Sequence, residues 1–277
     1  MWPEPNGENL GRGFALHYSN PAQKIREEFG TVRVDQNFSS NDSLAVSYTV
    51  DDGDSLTPQA DPLFAGIITL RSQVLSVQET HIFSPTVINT FSVGMAHSGF
   101  TYSSPPVDPS QFPASLSFVE GKPPGSLVIG AGSTTNAAAL TPAGAANNPF
   151  NYFYRTLFNY QDQLQIVRGN HQITVGAWFQ RIRQNDFSPA RSWGQAQFAS
   201  LETFLQGIVG TFTVAPVGTP MGWRAWLGAW YVQDSIKLRP NLTLDLGFRH
   251  EFTNGWNEAH ERAANFVFGP GEVLLTQ

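Results

Sequence analysis

A period of two, carried without a slip through a tight turn, is the feature that most limits what this chain can become. Leu242, Leu244, Leu246 and Phe248 fall on one parity, and Thr243, Asp245, Gly247 and Arg249 on the other. A strand turns successive side chains to opposite faces at this spacing. Ahead of Arg239-Pro240-Asn241, the residues Trp230, Val232, Ile236 and Leu238 share a parity that only Asp234 breaks, so a second strand enters the same turn. Each arm is near or above the roughly 9–11 residues that a tilted strand needs to cross a bilayer, and longer than the roughly 5–6 usual in soluble sheets.

Composition agrees with strands that cross a membrane once the alternation is considered. Mean hydropathy is −0.20, yet a barrel strand exposes an apolar residue only at every second position, so its average stays low. Aromatic residues make up 13% and charged residues only 14%, with 25 glycines and 19 prolines, which favours strands, turns and long loops over helices. No cysteine is present, so there is neither a disulfide framework nor a thiolate metal site. A net charge of −6 offers no basic stripe for phosphates and sets nucleic acid aside. The opening M-W-P-E-P-N-G-E-N-L lacks the charged n-region and apolar core of a signal peptide. The expectation is therefore an internal section of a longer protein, or a reading frame whose start is incompletely assigned.

The rest of the chain repeats the hairpin design. Residues 1–27 show no period and are expected to be loop. Hairpins are expected at about 28–52, 66–98, 153–184 and 223–252, each with a turn of about three or four residues. Asp51 to Pro62 is expected to be a polar loop, with long loops at about 97–150 and 184–222 and another after Phe252. Within 66–98, Leu75 and Val77 are out of phase with Ile68, Leu70 and Val74, which points to a bulge or to a stretch that leaves the bilayer. Phe198 to Gly207 has the pattern of a short helix capped by Gly207. Short turns at one end and long loops at the other match the periplasmic and extracellular ends of an outer-membrane barrel. Trp226, Trp230 and Tyr48 then fall where an aromatic girdle is expected.

Four segments resemble the Oar-like group of TonB-dependent outer-membrane transporters, whose barrel often follows a carboxypeptidase-regulatory-like domain: Thr31 to Ser39, His81 to Phe91, Val167 to Gly176 and Tyr231 to Glu251. The resemblance implies an all-β fold, with about eight strands of a barrel of roughly 22. It implies a cell outer-membrane location and no enzymatic activity. The partners it implies are outer-membrane lipid, a plug domain and further strands of the parent, TonB through the plug, and an extracellular solute. No plug and no TonB-contacting box is recognisable here. Two other readings stay open: a secreted or surface-attached adhesive β-protein, and a small passive pore.

No catalytic or cofactor motif stands out. His250, Glu251, Glu258 and His260 lack helical ligand spacing for a metal. Gly130 to Thr135 imitates the start of a phosphate loop but lacks its third Gly and its Lys. Arg33, Asp35, Asp245, Arg249 and Glu251 lie on the polar parity, where they form a wetted wall or touch solute. Trp193, Trp223 and Trp256 are expected in loops, either as loop core or as stacking surfaces.

Overall fold

The computed structural model describes residues 1–130, 140–264, 267–271 and 274–276. Eight long strands form one antiparallel meander: β1 (Lys24–Asn37), β2 (Asp42–Pro58), β3 (Ala65–Ser84), β4 (Val87–Ser103), β5 (Phe150–Arg168), β6 (His171–Phe187), β7 (Met221–Arg239) and β8 (Leu242–Thr253). Each pairs with its neighbours in sequence, and β1 and β8 are the two edges of the open sheet. Pro85-Thr86, Gly169-Asn170 and Pro240-Asn241 close three hairpins with two residues each, tighter than the three or four expected. The first turn has four, Phe38 to Asn41, where the Ser39 hydroxyl accepts the N–H groups of Asn41 and Asp42.

The registers convert sequence parity into two chemically different faces. One row crosses all eight strands as Val34, Val46, Val77, Val93, Tyr160, Phe179, Gly228 and Phe252. The row beside it, on the other face, is Arg33, Ser47, Ser76, Gly94, Asn159, Gln180, Leu227 and Thr253. The apolar face is interrupted toward the turn end, and there three pairs of interrupting residues bond across strands. Asp42 meets His81 at 2.5 Å, Asn89 donates to Asp162 at 2.7 Å, and His171 meets Asp234 at 2.6 Å.

Several boundaries differ from the sequence reading, each for a physical reason. The expected loop Asp51 to Pro62 is strand as far as Pro58. Its carboxylates Asp52 and Asp54 are neutralised by Arg26 and Arg71 on the flanking strands, so a stretch that reads as loop by composition stays in the ladder. Residues 24–27 are likewise strand, and Asn9–Gly11 pairs with Phe14–Ala15. The 97–150 and 184–222 loops shorten to 104–149 and 188–220. Beyond Phe252 the strand ends at Thr253, and Asn257–Glu258 returns to pair with Trp223 and Arg224. No bulge separates Leu75 and Val77 from Ile68 and Leu70, because the register is unbroken from Ile67 to Ile82. Leu75 and Val77 lie on the apolar face, while Ile68, Leu70 and Val74 are apolar residues of the other face.

At the loop end, the long connections fold into one cap with its own core. Ser126–Ile129 pairs in parallel with Gln195–Phe198, which pairs antiparallel with Thr211–Thr213. Leu127, Ile129, Ala143, Ala196 and Phe198 are buried, with Met1, Trp2, Leu140, Leu201 and Phe204 packed on them. Trp2 donates its indole N–H to the Thr141 carbonyl at 2.8 Å. The helix is shorter than its sequence pattern, Leu201–Leu205, with Ser200 and Thr203 forming the capping box. It ends as the sequence anticipates. Gly207 takes φ +70°, its N–H bonds the Phe204 carbonyl, and Ile208 N–H bonds that of Thr203, the paired closure of a Schellman motif.

Asp61, 4% exposed, ties the cap to the β2–β3 connection. Its carboxylate accepts from Leu63 N–H at 3.0 Å and from Gly144 N–H at 2.9 Å. Burial pushes its pKa up, and the two amides pull it partly back. A raised carboxyl pKa means stability that is full below the ordinary carboxylate range and is lost as pH rises through that range to the folded value. We expect residues 104–149 of the full-length protein to need more urea for protease cleavage as pH falls toward that range. Asp61→Asn should flatten this slope, and an unchanged slope in the variant would contradict the assignment.

Candidate functional site

The polar face of the wall carries the densest functional grouping. On β8 the Arg249 Nε donates to Glu251 Oε1 at 2.6 Å. The same guanidinium lies 5.7 Å from the Tyr231 ring centroid and 6.0 Å from that of Trp178, within cation–π range. Tyr231 lies over Gly176, where a Cβ would run into the phenol ring, and so its hydroxyl reaches across to Gln163 Oε1 at 2.9 Å. Any side chain at 176 would displace this ring. Gln180 donates to Asn159 at 2.7 Å, and Ser235 to Asp245 at 2.5 Å. The grouping offers a fixed cation, two aromatic faces and amide donors to a polar solute.

Of the residues named from sequence, Arg249, Glu251 and Asp245 lie together on β8. Arg33 and Asp35 lie at the opposite edge, on β1, where Arg33 forks onto Asp35 with bonds of 2.8 and 2.7 Å. The sheet therefore does not bring these two sets together. Trp223 is a correction: it is in β7 and not in a loop, because the strand begins at Met221 and pairs with β6 as far as Asp186. Trp193 is in the cap beside a cavity of about 380 Å³ that Phe150, Phe187, Pro189 and Lys122 also line. Trp256 is a half-exposed connection residue. Trp178 and Tyr231 were not singled out, although aromatic residues on a polar parity were the available signal.

The suspected quartet of metal ligands is dispersed. His250 stacks beside Trp230 and Phe252 on the apolar face, and Glu258 accepts the backbone N–H groups of Gly222, His260 and Arg262. Among the described residues, Asp42, Glu79 and His81 have ligand atoms within 4.8 Å of one another, but this is the paired group at the turn end and not part of the polar face. Of the Gly130 to Thr135 segment, everything after Gly130 lies outside the described residues.

A family model described as an outer membrane beta barrel domain matches residues 1–277. The chain belongs to that family. It is outer-membrane barrel wall rather than an enzyme, and the apolar face is the surface that meets lipid. In fold the wall is similar to BauA, the ferric preacinetobactin receptor from Acinetobacter baumannii, with a TM-score of 0.51 and 11% identity. The likeness covers 87% of this chain and 36% of that receptor. No curated protein matches the sequence. Among the described residues no helix is long and apolar enough to cross a membrane, and the strands do so instead.

With the faces assigned, the cost of charge differs between neighbouring positions of β8. Arg at a lipid-facing position near the bilayer midplane costs about 2–4 kcal/mol, whereas lumen positions tolerate charge. In the full-length protein, Leu246→Arg should lower barrel stability by an amount in this range in urea titration from lipid vesicles. Asp245→Asn should leave the midpoint nearly unchanged. Equal effects at the two positions would contradict the assignment of faces.

Proposed function

We propose that this chain forms wall and extracellular loops of a TonB-dependent outer-membrane receptor of the Oar-like group, which binds a scarce, bulky solute at the loop end and imports it. The observation that carries this reading is the folded cap, packed on its own core at one end of a wall whose other end has only minimal turns. A preorganised cap costs less ordering on binding than loose loops do. In this reading the cap faces outward and the turns face the periplasm. The four resembling segments support the Oar-like assignment, and the BauA likeness supports the wall.

A plug domain and further strands of the parent would complete the barrel at β1 and β8, whose unpaired edges are templates for strand addition. Trp178, Tyr231, Arg249 and Glu251 would line the solute's path. Arg33 and Asp35 would face the plug side near the turns, with Trp193, Trp223 and Trp256 nearer the entrance. TonB would act through the plug, by withdrawing it from the lumen.

A plugged transporter and a passive pore differ in conductance. The full-length protein in a planar bilayer should show no steady ion current, and a variant lacking the plug should conduct. A steady open current from the intact protein would overturn the proposal in favour of the pore.

A further inference from the structure

On the lipid-facing side, the belt ends at the loop end in a row of charged or polar residues. On the β1–β3 side, these charges are neutralised within the wall. Arg26 meets Glu28, Asp52 and Asp54 at 2.6–3.2 Å, and Arg71 meets Asp52 at 2.9 Å. On the β6–β7 side they are not. Arg181 and Arg183 follow Phe179 on the same face of β6, and Arg224 precedes Trp226 on the same face of β7. Arg183 stands directly opposite Arg224 in the register, and Arg181 opposite Trp226. Like charges in directly opposed positions destabilise a strand pair, so three cations here require an explanation.

Their surroundings hold them in place without neutralising them. Arg224 donates to the carbonyls of Gln184 and Trp223 at 3.0 and 2.8 Å and to Asn185 Oδ1 at 3.0 Å, all uncharged acceptors. Arg181 lies over the Trp226 ring at 5.0 Å. Arg183 is exposed and has no hydrogen-bond or ion-pair partner among the described residues. The nearest acid in sequence register is Glu258, one position from the residue opposite Arg224, and three backbone N–H groups already occupy it at 2.7–2.8 Å.

We infer that Arg181, Arg183 and Arg224 form a binding site for the phosphate of a membrane-lipid headgroup in the leaflet at the loop end. Guanidinium groups bind phosphate through forked, charge-assisted bonds, and one phosphate between Arg183 and Arg224 removes their repulsion. Continuity with the belt selects a lipid over a free anion. Phe158 lies opposite Arg181 on β5, and Phe179 precedes it on β6. Acyl chains resting on these rings and on Trp226 and Trp230 leave the headgroup level with the arginines. Trp and Tyr rings mark that depth in barrels. The site rests on the assignment of this face to lipid, but not on which leaflet the loop end occupies.

The test uses the full-length protein, delipidated in neutral detergent. Phosphatidic acid is compared with diacylglycerol of the same chains, and with inorganic phosphate. Bound lipid is counted by native mass spectrometry. Phosphatidic acid should bind at least about tenfold more tightly than diacylglycerol, and the difference should shrink as salt is raised. Arg183→Gln with Arg224→Gln should lose at least about tenfold in phosphatidic acid affinity, whereas Arg26→Gln should not. Arg183→Gln alone removes an exposed, unpartnered side chain; it keeps the test available if the double variant fails to fold, and should show part of the loss. Equal binding of phosphatidic acid and diacylglycerol, or unchanged affinity in the arginine variants, overturns the site. Inorganic phosphate binding as tightly as the lipid overturns its assignment to a lipid. Because the readout is made in detergent, it stands whether or not the transport proposal survives its conductance test.

Discussion

In hydrocarbon a backbone N–H or C=O without a partner costs several kcal/mol, and the whole wall follows from meeting that demand with strands. The β2–β7 strands, 17–20 residues each, are paired on both sides. They also exceed the roughly 9–11 residues that a bilayer crossing needs. Hydrogen bonding thus continues well past the lipid, and the surplus ladder at the loop end is the platform on which the cap is built. Successive side chains then fall on two faces, and lipid on one side with water on the other makes one face apolar and the other polar.

Charge is placed according to the same partition. Three carboxylates on the lipid-facing side near the turn end find a cross-strand imidazole or amide: Asp42 with His81, Asp162 with Asn89 and Asp234 with His171. Partnering matters there because an unpaired ion next to lipid has no water to solvate it. Above the belt, Arg26 and Arg71 share the acids of β2. The guanidiniums of β6 and β7 break this pattern, and the proposed lipid phosphate would restore it.

The alternation made the strands and their faces legible, most clearly in Leu242 to Arg249, where each residue's parity matches its observed side. Strand ends were less legible. Asp51 to Pro58 reads as loop because three acids, glycine and proline outweigh its weak apolar signal, and only the arginines of neighbouring strands, remote in sequence, make it strand. The phase change at Leu75 and Val77 reads as a bulge or an exit from the bilayer, since a strand with apolar residues on both sides looks irregular to a one-face rule. The cap was hidden for a different reason. Its parallel pairing joins Ser126–Ile129 to Gln195–Phe198 across some seventy residues, and Met1 and Trp2 complete its core from the far end of the chain, contacts that no local pattern encodes. The grouping of Trp178, Tyr231 and Arg249 was half visible: the arginine stood out as charge on the polar parity, while the aromatics did not.

The central claim is that parity along each strand separates lipid from water. Single cysteines at positions 44 to 50 of β2, introduced into the full-length protein and labelled with a nitroxide in lipid vesicles, test it most directly, because the chain has no cysteine of its own. Collision rates with oxygen should be high at 44, 46, 48 and 50, and collision rates with a water-soluble nickel chelate should be high at 45, 47 and 49. A profile with no period of two, or one in which the nickel chelate reaches 46 and 48 as readily as 45 and 47, would contradict it.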